Sequence, residues 1–141
     1  MSEVHDNELI SYTVDFRKKE MVLNTEYCMD HEIEQTKVVF TNVTAHFFEM
    51  AGELFTIIFD IECNDIKDFI EEQGELLLKY KNYGWPLCTY KKDKDLLRIL
   101  MENNQKYYTL ESSCGMSGFV IAENMNIEIV SGCESEVKND R

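Results

Sequence analysis

The chain has 141 residues, 44% of them hydrophobic, with 27 Asp and Glu against 14 Lys and Arg and a formal net charge of −13. That length fits one domain able to bury a core of its own, and one proline with six glycines excludes a low-complexity or linker-like chain. The negative field repels phosphates and anionic lipid, so nucleic acid and membrane surfaces are disfavoured as partners and a basic protein is favoured.

Taken in order, the N-terminal run MSEVHDNEL is acidic and polar, unlike a secretory signal. No apolar run approaches the roughly 20 residues of a bilayer span, and a cytoplasmic location is expected. Residues 9–16 alternate, with Ile10, Tyr12, Val14 and Phe16 on one face of a half-buried strand. The charged turn Arg17-Lys18-Lys19 leads to a second strand over 20–27, where Met21, Leu23 and Tyr27 form the apolar face, and residues 30–35 read as an acidic loop. Two further strands, 37–48 and 54–61, are rich in Val, Ile, Phe and Thr and form a central hairpin. Gly52 in its turn permits a positive φ.

At Asn64 the apolar period changes to about 3.6 residues. Ile66, Phe69, Ile70, Leu76, Leu77 and Tyr80 make one stripe of a helix capped by Asn64 or Asp65, with Gly74 marking a kink or a break into two short helices. Residues 87–90 form a short strand or a packed loop, Asp93 caps a helix over 94–104, and strands follow at 106–112, 118–122 and 127–130, the last two joined by a turn at 123–126. The expected fold is α+β, a mainly antiparallel sheet of about seven strands with two or three helices on one face, in a single domain over 1–130 followed by a polar, disordered tail over 131–141.

Phe59-Asp60-Ile61-Glu62, Asn82-Tyr83-Gly84-Trp85-Pro86 and the run from Ser112 to Val120 resemble segments of small bacterial proteins without an assigned activity, a likeness spanning most of residues 9–130. That resemblance implies no functional residue. In size and acidity the chain is similar to the immunity proteins of bacterial toxin systems.

Few residues offer chemistry. Ser117 in Gly115-Met116-Ser117-Gly118 falls one residue short of a nucleophile elbow, and no histidine follows it. Cys114 with His46 is the candidate catalytic pair, since a thiol and its base need only meet in space. The five cysteines (Cys28, Cys63, Cys88, Cys114, Cys133) include no C-x-x-C spacing and read as free thiols. His31 among Asp30, Glu32 and Glu34, and His46 near Glu49, Asp60 and Glu62, lack a spacing that fixes a metal, so no metal or cofactor is expected. Asp60 and Glu62 share a strand face and could pair for acid and base work. Glu71, Glu72 and Glu75 line the polar side of the first helix near Tyr83 and Trp85, a composition suited to binding a basic protein. The expectation is a non-enzymatic acidic protein-binding module, concretely an immunity-type inhibitor of a basic toxin. The alternative is a small enzyme or small-molecule-binding domain using Cys114, His46 and carboxylates.

Overall fold

The computed structural model describes residues 4–131. Alternation makes the first strands: in β2 (Glu20–Met29), Met21, Leu23 and Thr25 point inward between more exposed neighbours. β1 (Glu8–Asp15) pairs with it so that Tyr12 lies opposite Leu23 and Val14 opposite Met21. A bulge between Leu9 and Ser11 removes Ile10 from that face, and Phe16, in the turn, stands 79% exposed; with Tyr12, three of the four expected core residues of this strand are exposed. The expected acidic loop is instead a two-residue turn. Asp30 and His31 take φ of 53° and 70° between paired Met29 and Glu32, the positive-φ pair a tight hairpin needs.

β3 (Glu32–Glu49) is consequently longer than its expected span. The chain then reverses with positive φ at Met50 (67°), a role assigned from sequence to Gly52, and β4 (Thr56–Asn64) begins only after Leu54 and Phe55. β5 (Lys106–Cys114) and β6 (Ser117–Ser131) complete the set, giving six strands among the described residues, one fewer than expected. The missing strand is the expected turn at 123–126, through which β6 runs unbroken against β3. Ala122 and Met125, three residues apart, both reach the same core, as do Phe40 and Val43 opposite them. The alternation slips by one on both strands at the same place, which bends the ribbon without ending it.

All pairings are antiparallel, and the strands close in the order β1-β2-β3-β6-β5-β4. Inside lies an apolar core that includes Met21, Leu23, Val38, Phe40, Ile58, Leu110 and Val120, and fully buried Val4 from the N-terminal turn belongs to it. Tight turn chemistry joins β5 to β6. A Cβ on Gly115 (φ 90°) would come within 2.7 Å of the Phe55 carbonyl and of Thr56 Cα, so only glycine fits there.

The helical segment lies between β4 and β5. Asp65 caps α1 (Ile66–Glu72), its carboxylate accepting from the Lys67 amide at 2.9 Å. The expected helix divides at Gln73, and α2 (Gly74–Tyr80) begins at the glycine flagged as a break point. A single 3₁₀ turn (Lys81–Tyr83) follows, residues 87–90 form a loop, and α3 (Asp93–Glu102) takes its cap position at Lys92, one residue before the Asp93 expected there. Phe69, Leu77, Leu96 and Leu100 from the helices meet Ala45, Tyr107, Phe119 and Ile121 from the outer barrel face, making a second core. Among the described residues no helix is long and apolar enough to cross a membrane. The expected tail, apart from the backbone of Ser131, lies outside the described residues, as does Cys133.

Candidate functional site

The helical face carries most of the residues singled out for binding. Trp85 serves as a packing centre, its ring 6.1 to 6.4 Å from those of Tyr80, Phe69, Phe119 and Phe47. Tyr83 is 83% exposed and Leu78 is 81% exposed, so the accessible apolar surface here belongs to Tyr83 and Leu78 and much less to Trp85. Glu71 and Glu75 are exposed, and Leu78 lies one turn beyond Glu75 on α2. Glu72 has a structural bond: the Tyr107 hydroxyl donates to Glu72 Oε1 at 3.0 Å and accepts from Gln73 Nε2 at 3.0 Å. Burial, with the Glu72 charge, pushes Tyr107 up to about 12, so the phenol stays protonated beneath the helices.

Cys114 and His46 sit in different parts of the barrel. His46 pairs across the sheet with Val120, which pairs with Tyr108, whereas Cys114 lies six residues further along β5 and pairs with Ile57. At ~3.3 Å per residue that is an offset of about 20 Å along the strand. The Cys114 thiol donates to the Phe55 carbonyl at 3.6 Å. His46 is half-buried beside Phe48, and desolvation lowers its pKa, which favours the neutral imidazole. It lines a cleft of about 280 Å³ together with Val14, Lys19, Glu20, Thr44 and Trp85. Ser117 pairs with Glu49 at the hairpin end, and Ser112 Oγ donates to the Met116 carbonyl in the same turn. Asp60 and Glu62 do share the face opposite Ile61. His31 occupies the β2–β3 turn, and among the described residues no three His, Cys, Asp or Glu side chains converge on a metal-sized point.

The feature that sequence reading missed is the seam where the barrel closes. β1 meets β4 at two residue pairs only, Glu8 with Ile57 and Leu9 with Thr56. Beyond them β1 keeps its β2 partner, while the 50–55 loop diverges and leaves a cleft of about 550 Å³ between residues 8–12 and 51–56, with Met116 among its lining residues. Ile10, Tyr12, Leu54 and Phe55 all present exposed apolar surface around it. The signal available in the sequence was Leu54-Phe55, two large apolar residues that the strand pattern assigned to the sheet.

No protein-family model matches the chain, and neither a curated protein nor a solved structure was found to match it.

Proposed function

We propose that the protein is a non-enzymatic acidic module that binds a basic protein, in its most concrete form an inhibitor of a basic bacterial toxin. The observation that carries this reading is the uncompensated charge. The net charge is −13, and the Arg98–Glu102 pair on α3 is exposed and weak. Such a field accelerates encounter with a cationic partner, and exposed Tyr83 and Leu78 beside Glu71 and Glu75 offer apolar anchors rimmed by charge.

The test begins with capture of partners by the tagged full chain at low and high salt, and continues with the purified partner. The expected result is a basic protein, bound one to one, whose association rate falls at least tenfold as salt rises and falls further with Glu71→Lys and Glu75→Lys. A partner whose association ignores both salt and these substitutions would overturn the reading. Glu72 is left unchanged because its bond to Tyr107 would mix stability with binding.

A further inference from the structure

The cleft of about 280 Å³ that His46 lines opens where the β1–β2 turn meets the bend of β3. Its volume is near the lower end for small-ligand pockets, and barrel ends are among the places where such pockets recur. Phe16, Val43 and Trp85 give it apolar walls. Two half-buried polar rings line it unused: neither the His46 imidazole nor the Trp85 indole N–H has a hydrogen-bond partner among the described residues. Groups so placed are ordinarily bonded. Both rings are nevertheless held, His46 by Phe48 and Trp85 by Phe69 and Phe119.

The charges around the cleft select the ligand. Asp15 and Glu20 lie directly opposite each other in the β1–β2 pair, an arrangement that like charges make unfavourable. Among the described residues neither carboxylate has an ion-pair partner: Asp15 Oδ1 accepts from the Arg17 and Lys18 amides at 3.0 and 2.9 Å, and Lys19, exposed at the rim, pairs with neither. Glu20 is the one half-buried charged residue of the lining. Beside it the neutral imidazole offers a lone pair, and the field of a chain of net charge −13 disfavours anions. We propose that this cleft binds a small organic amine, its ammonium facing Glu20 and His46 and its apolar group packed on Phe16 and Trp85. The site goes beyond the binding of a basic protein, since its ligand is a small molecule.

Trp85 is the only tryptophan of the chain, so its fluorescence reports on the cleft directly. The full-length protein is titrated at neutral pH with phenethylamine, phenylethanol and phenylacetate, which carry one ring with a positive, no and a negative charge. The expected result is a saturable change with the amine, affinity about tenfold lower for the alcohol, and none for the carboxylate. Glu20→Gln should weaken the amine about tenfold and leave the alcohol unchanged. Because that substitution also relieves the repulsion with Asp15, its unfolding midpoint should not fall. No saturable change with the amine at tens of millimolar would overturn the proposal, as would an alcohol or carboxylate that binds as tightly. Equal affinity for Nα-acetyl-lysine methylamide would assign the cleft to a lysine side chain of a protein and would overturn it too.

Discussion

The barrel has two unlike walls. Under the helices, β3, β5 and β6 present Ala45, Tyr107, Phe119 and Ile121 to Phe69 and Leu96, and every one of these side chains is buried. At the seam, β1 has only Leu9 and Val14 partly covered among its eight residues, no strand partner among the described residues on one edge beyond Leu9, and Ile10 and Tyr12 exposed. Apolar residues are buried where a second layer covers them, and they stay exposed where none does. The difference is therefore energetic as well as geometric, and substitutions on the two walls should separate by several kcal/mol.

The largest effect belongs to the covered wall. Phe69 is fully buried and its ring lies 5.6 Å from those of both Tyr107 and Phe119. Phe69→Ala should lower stability by about 3–5 kcal/mol in urea unfolding; a loss under 1 kcal/mol would mean the helices are loosely attached. Next comes Gln105, buried after α3, which donates to the Asn42 carbonyl at 3.2 Å and accepts from Thr44 Oγ1 at 2.8 Å, pinning the bend of β3. Gln105→Ala should cost about 1–3 kcal/mol, because it leaves groups at the bend without their partner.

His46 gives a pH-dependent effect of intermediate size. Burial holds its pKa below the ordinary value of 6.5, so as pH falls through 6.5 the unfolded chain takes up a proton before the folded one and stability declines. His46→Asn should flatten the stability profile between pH 7 and 5; an unchanged slope would locate the acid sensitivity elsewhere. The smallest effect is on the seam, where Ile10→Thr should change stability by no more than about 0.5 kcal/mol. A larger loss would show that Ile10 is covered in solution, and the contrast between the walls would fail.

The covered wall was largely legible in the sequence and the seam was not. Phe69 and Leu100 fall on periodic stripes, and Gly74 marked the division of the helix, because these are local regularities. Closure of the sheet depends on Glu8 meeting Ile57, a pairing 49 positions apart that no local pattern encodes. The bend near Asn42 and Glu123 broke the alternation of β6 and so resembled a turn, although Asn42 Nδ2 donates to Glu123 Oε1 at 3.0 Å across an unbroken ribbon. Gln105 falls between the expected helix over 94–104 and the expected strand at 106–112, where no local pattern gives it a role. Its burial follows from the β3 bend, which the sequence does not announce.

Native-state amide exchange of the free full-length protein tests the contrast most directly. The account predicts that amides of residues 106–110, paired with β6 and lying under the helices, exchange only through global unfolding. Alternate amides of residues 11–15 should exchange orders of magnitude faster, at rates near those of an open strand edge. Uniform protection along β1, equal to that of β5, would show that the seam is closed and would contradict the account.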